Sequence, residues 1–205
     1  MHICFMKDSS LKKLPPPGRK KIIDALRVLL ESKDFSSIKI ADIAGTAGVT
    51  EPLIYKYFKD KRDVLHSLLQ EYLEISLKNS TDELNKISGS INKLNHFIKY
   101  YVRSCDTDRV LARVVLLEVR NSYDYYESAP YHLFKKYGEL ILSIIQEGVK
   151  EGELREDISP LAMRHLLFGS IDRACLNPVI FNTKFNVNAV IREMTTLIFD
   201  ACRKR

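Results

Sequence analysis

The chain has 205 residues and a mass of 23.6 kDa, with 45% hydrophobic and 28% charged positions. That balance excludes wholesale disorder and leaves room for one large core or for a small domain beside a larger one. The formal net charge of +6 is lopsided: residues 1–66 hold 13 Lys/Arg against 8 Asp/Glu, and residues 67–205 hold 19 against 18. The first third therefore suits a polyanionic partner. No apolar run approaches the roughly 20 residues of a membrane span, and the first ten residues are too broken for a signal-peptide core, so a cytoplasmic protein with no membrane partner is expected.

In chain order, residues 1–16 read as a flexible basic segment, because "LPPPG" at 14–18 can neither continue a helix nor pair in a sheet centre. From Pro17 the apolar set Ile22, Ile23, Leu26, Leu29 and Leu30 has helical spacing, with Arg19, Lys20, Lys21 and Arg27 off the stripe. After "SKDFSS" a second, short helix carries Ile40, Ile43, Ala44 and Ala47 on one face and stops at Gly48. Thr50 is placed to cap a third helix over Glu51–Tyr57, with Pro52 early enough to forfeit no hydrogen bond. Asp60 then starts a long helix with Val64, Leu65, Leu68, Leu69, Tyr72, Leu73 and Leu77 on its stripe.

A polar stretch at 78–90 separates these from five further helical patterns, at about 91–104, 108–126, 131–151, 159–176 and 187–203. No period-2 strand and no internal repeat is found. The expected fold is all-α, about nine helices, with a domain at 17–66 and a larger one at 67–205. Cys4, Cys105, Cys175 and Cys202 form no CxxC pair, and the five histidines show no ligand spacing. No metal and no cofactor is expected.

Two short helices joined by a Gly turn, "IADIAGTAGVTEPLIYKYF", have the form of a helix-turn-helix. With Ile54 and Phe58 turned to the small core, Thr50, Glu51, Leu53, Tyr55, Lys56 and Tyr57 are left on the open side, where a major groove would lie. The plainer reading, half-buried core tyrosines, is outweighed by the basic character of the segment.

The stretch "IADIAGTAGVTEPLIYKYFKDKRDVL", extended back through "IIDALRVLLESKDF", resembles the DNA-binding signature of tetracycline-repressor-type (TetR/AcrR family) transcriptional regulators over roughly residues 19–70. The resemblance implies a homodimeric, cytoplasmic repressor whose heads read a palindromic double-stranded DNA operator. The C-terminal helices would bind a small hydrophobic or amphipathic effector and dimerise. Position by position, it implies that Thr50 touches phosphate, that Glu51, Pro52 and Leu53 read bases, that Tyr55, Lys56 and Tyr57 hold the backbone, and that Lys61 shares a phosphate with the amides at the head of helix four. Two positions depart from the pattern. Asp34 replaces a usual Gly and is expected to tolerate a left-handed backbone; Lys39 replaces a capping Ser/Thr, adding a cation near DNA and leaving the cap to Ser37.

For the effector pocket the candidates are Phe97, Tyr101, Leu117, Glu118, Tyr123, Tyr137, Ile141, Phe168 and Asp172, an apolar set with a few polar groups. For the dimer contact they are Gly169, Ser170 and Ala174, where helices can approach closely, with Ile191, Met194 and Ile198 on the last helix. The rival class, a small-molecule-processing all-helical enzyme, finds no Gly-rich phosphate loop, GxSxG elbow or HExxH to support it. A basic membrane-surface helix is the other rival, and the packing needs of helix one oppose it.

Overall fold

The computed structural model describes residues 17–204, so the lead-in expected at 1–16 lies outside the described residues. Among the described residues there are ten α-helices, and no strand forms beyond an isolated Leu154–Arg203 bridge. The first three make the head: α1 (Pro17–Leu30), α2 (Ile40–Ala47) and α3 (Glu51–Tyr57), with a 3-10 turn at Phe35–Ser37 between α1 and α2. Ile22, Ile23 and Leu26 on α1, Ile43 on α2 and Ile54 on α3 are fully buried together, and Phe58 closes the cluster. Gly48 ends α2 at φ 64°, a left-handed conformation that a Cβ would strain.

Three local expectations are corrected. Asp34 is extended at φ −71°, so no left-handed residue is needed there. Ser37 donates back to the Asp34 carbonyl instead of capping α2, and the Asp42 carboxylate secures that helix start by accepting the Lys39 backbone N–H at 2.8 Å. Thr50 makes no side-chain cap; its carbonyl accepts the Leu53 and Ile54 amides.

The long α4 (Lys61–Leu84) spans about 36 Å at 1.5 Å per residue. Asp60 caps it by accepting the Asp63 amide at 2.9 Å. The helix runs seven residues, 78–84, into the stretch read as a polar break. Small hydroxyl side chains explain this: Ser76 and Ser80 are buried because Tyr100 and Tyr137 hydroxyls meet them at 3.1 and 2.6 Å. The upper part of α4, to Leu69, belongs to the head's core, and Leu84 to the body's. The expected domain boundary at 66/67 thus falls inside one continuous helix.

The body comprises α5 (Ser90–Thr107), α6 (Arg109–Arg113), α7 (Tyr123–Tyr126), α8 (Ala129–Lys150), α9 (Pro160–Phe181) and α10 (Val187–Cys202). The single helix expected over 108–126 is broken. Asp108 caps a new start by accepting the Leu111 amide, α6 then widens into a π turn at Val114–Glu118, and the chain leaves helical geometry before α7. The α9 helix runs five residues past its expected end, through Pro178, and stops at Asn182 in the left-handed region, φ 47°.

One crossing is unusually close. A Cβ on Gly148 of α8 would lie 2.7 Å from the Ser90 Cβ and 2.9 Å from the Leu154 Cδ1. We predict that Gly148→Ala costs about 1–3 kcal/mol by overpacking, seen as a lower urea midpoint at unchanged slope; an unaltered midpoint would contradict this crossing.

Candidate nucleic-acid interface and effector cavity

On α3 the burial pattern divides the expected contact residues. Thr50, Glu51, Pro52, Tyr55 and Lys56 are exposed, Tyr55 at 57%, whereas Leu53 and Tyr57 are half-buried. Tyr57 lies over the start of α1: a Cβ on Gly18 would come within 3.3 Å of its ring and 3.7 Å of Leu53. Tyr57 therefore braces α3 against α1 while keeping an edge to solvent, and Tyr55 stands free. Lys39 is exposed at the start of α2.

Lys61 is the clear correction. Its ammonium donates to the carbonyls of Ile38 (2.6 Å), Phe35 (2.7 Å) and Ser36 (3.3 Å) and sits 4.4 Å over the Phe35 ring. All three protons are engaged within the protein, closing the 3-10 turn. Burial, then the neighbouring Arg62, lowers its pKa below the usual lysine value. With Asp60 already capping α4, no phosphate seat remains there. A lysine at a helix N-terminus, against the dipole, is the one sequence signal of such an inward role.

In the body, a small apolar cavity of about 40 Å³ is enclosed by α4, α5, α6 with its π turn, α8 and α9. Three expected residues, Tyr101, Tyr137 and Phe168, line it. Phe97 supports them from behind, its ring 5.8, 5.6 and 5.3 Å from those of Tyr101, Tyr137 and Phe168. Asp172 stands at the rim, accepting from the Tyr101 hydroxyl at 2.7 Å and from Arg120 at 2.8 Å. Burial pushes the Tyr101 and Tyr137 phenols above their ordinary pKa and Tyr72 up to about 12, so all three are neutral donors near neutrality.

The remaining expected residues do not come to the cavity wall. Ile141 is fully buried core, Leu117 and Glu118 are half-buried on the π turn, and Tyr123 is 92% exposed on α7. Tyr72 and Ser76 of α4, Ser104 and Cys105 of α5, and Val115 and Leu116 of the π turn line it instead. Their i, i+4 and adjacent spacing is that of ordinary core, which carried no separate signal.

The dimer candidates also divide. Ile191 and Ile198 are buried at 7% and 6% in the protomer's own core and are not free to meet a second subunit, whereas Met194 packs on that core and is half-buried. Ser170 and Ala174 are half-buried, whereas Gly169 is exposed with open space at its Cβ. Leu161, Leu166, Phe181 and Leu197 are the large apolar side chains that α9 and α10 leave most exposed.

The family model for bacterial regulatory proteins of the tetR family matches residues 22–68, and that for the C-terminal region of YsiA-like proteins matches 69–201. The chain belongs to the tetR family. It is a DNA-binding transcriptional regulator, and the enzyme alternative falls away. The fatty acid metabolism regulator protein of Bacillus subtilis (strain 168) is 27% identical over 182 residues, 89% of this chain and 94% of that protein. Among solved structures, the fatty acid degradation regulator FadR of Bacillus halodurans superposes with a TM-score of 0.82 at 26% identity, covering 94% of this chain and 100% of the other. FadR of Bacillus subtilis in complex with stearoyl-CoA gives 0.79 at 26% identity, covering 87% and 96%. Among the described residues, no helix of this tetR-family chain is long and apolar enough to cross a membrane.

These placements separate two lysines five positions apart. We predict that Lys56→Ala lowers the slope of log affinity against log salt on mixed-sequence duplex DNA by about one unit at unchanged Tm. Lys61→Ala should lower Tm and leave that slope alone. The reverse pattern would return Lys61 to the interface.

Proposed function

We propose that the protein is a cytoplasmic, ligand-controlled repressor that holds a palindromic operator as a homodimer and leaves it when a long-chain fatty acyl thioester occupies the body. Residues 17–66 bind DNA in this reading, and residues 67–205 bind the effector and dimerise. Glu51, Pro52 and Leu53 face base edges, Glu51 as an acceptor for a cytosine amino group. Thr50, Tyr55, Lys56 and the open edge of Tyr57 fix the register on the backbone, and Lys39 adds a cation beside it. Gly169, with the exposed Leu161 and Leu166 on α9 and Leu197 on α10, supplies the two-fold contact.

The observation that carries the effector class is the aromatic and aliphatic cavity whose wall includes Ala112, Val115 and Leu116. At about 40 Å³ it holds little more than a water or two, so a chain enters by parting aromatic side chains such as Phe134, Tyr101 and Phe168. Burying methylenes there stabilises the opened form by about 0.8 kcal/mol each, enough to offset the lost aromatic packing. Such a ligand prefers one arrangement over the other, which is the condition for shifting a two-state equilibrium. The stearoyl-CoA complex of the Bacillus subtilis relative supports the same class.

An operator selected from random duplexes, then titrated with stearoyl-CoA, tests the proposal. We expect release of bound duplex at concentrations that saturate the protein, and none with coenzyme A alone. Stearoyl-CoA that saturates the protein and leaves duplex occupancy unchanged would overturn it.

A further inference from the structure

A second cavity adjoins the first. Between α8 and α9 lies an open cleft of about 310 Å³ that shares Phe134 and Phe168 with the apolar cavity, so those two rings, 6.2 Å apart, stand as a gate between them. Its lining follows helical spacing: Tyr131, Phe134, Lys135 and Gly138 on α8 face Arg164, Phe168 and Asp172 on α9. A Cβ on Gly138 would lie 3.9 Å from the Arg164 Nη1, so no side chain separates that guanidinium from the α8 backbone.

The charges are unbalanced. Arg120, Lys135 and Arg164 line the cleft against a single carboxylate, Asp172, and that carboxylate is already shared between Arg120 and Tyr101. Neither Lys135 nor Arg164 has a carboxylate partner among the described residues. The other cleft opening on the cavity, between α4 and α5 through Tyr72 and Ser104, is closer to balance: Lys86, Lys99 and Arg103 there stand with Asp82, Glu83 and Asp108, the last of them also held by Arg27. Unpaired cations around a concave site with low-dielectric walls concentrate an anion.

We infer that the cleft between α8 and α9 seats the phosphate-bearing head of the effector, with Arg120 exchanging Asp172 for a phosphate oxygen. The inference rests on the acyl-thioester reading above and adds which end of the ligand is sensed, and where. Guanidinium groups bind phosphate in a forked, charge-assisted geometry, and Arg120 and Arg164 can both supply it. Arg120 directly follows Val119, which is fully buried in the head's core, and its carbonyl accepts from the Tyr126 hydroxyl. A pull on Arg120 is therefore delivered to the head. A free fatty acid brings the same chain with one carboxylate in place of several phosphate groups, so it offers these cations fewer charge-assisted bonds.

Calorimetric titration of the full chain with stearoyl-CoA and with stearate tests this. Lys135→Glu with Arg164→Glu should weaken stearoyl-CoA binding about a hundredfold, tenfold for each charge-assisted hydrogen bond removed, and change stearate binding less than about threefold. Arg164→Gln alone should weaken it by a smaller factor in the same direction, which guards against a misfolded double variant. Lys99→Glu with Arg103→Glu should leave the ratio of the two affinities unchanged. Equal weakening for both ligands, or a ratio that follows the α4–α5 variant, would overturn the seat and leave the acyl-chain reading standing. A chain that takes up no stearoyl-CoA at all would remove both.

Discussion

The architecture depends on α6 and its π turn belonging to two cores at once. Leu111, Val114, Val115 and Val119 are buried with the head helices, whereas Ala112 and Leu116 are buried with the body. Polar contacts fix the same segment to α1: Arg27 reaches Asp108 at 2.6 Å, and Arg113 donates to the Leu30 carbonyl at the end of α1. On its other side Arg109 donates to the Asn182 side chain and the Thr183 carbonyl, both at 2.9 Å, at the end of α9. Close-packed interiors do not deform continuously, so a segment shared in this way cannot move for one core and stay for the other.

The cavity gains meaning from that constraint. Val115 and Leu116 are cavity wall, and the following turn holds Val119 in the head and Arg120 on Asp172. A chain inserted beside the π turn pushes against residues whose neighbours are head residues. The i→i+5 geometry, with the Val119 amide reaching the Val114 carbonyl at 3.3 Å, carries one residue more per turn than an α-helix and is a place where register can change.

The head was largely legible in the sequence because its constraints are local. Gly48 at a positive φ, Pro52 in the first turn of α3, and Ile54 with Phe58 on one face are each a short-range demand written at a fixed offset. What escaped depends on partners distant in sequence. Ser76 and Ser80 look like the end of a helix until Tyr100 and Tyr137 arrive to satisfy them, and Lys61 looks like a phosphate ligand until the turn at Phe35–Ile38 offers it three carbonyls. The cavity was half-legible: Tyr101, Tyr137 and Phe168 carry aromatic weight that suggests a pocket, whereas Ser104 and Val115 are indistinguishable from core until the helices are assembled. Ile191 and Ile198 show the converse, an apolar stripe that fits a subunit contact equally well but is used up inside the protomer.

If occupancy of the body reaches the heads through α6, the distance between the two heads must change with it. Pulsed electron-spin distance measurement between labels on Thr46→Cys in the two subunits of a Cys4→Ser background, with and without stearoyl-CoA, is the test, because Thr46 is exposed on α2 and Cys105, Cys175 and Cys202 are buried. A shift of about 1.5 Å or more, one residue's rise along a helix, is expected in the wild-type background and is lost when Arg27→Ala and Arg113→Ala uncouple α6 from α1. A distance that stays fixed while saturating stearoyl-CoA releases the duplex, or one that shifts equally in the uncoupled variant, would contradict it.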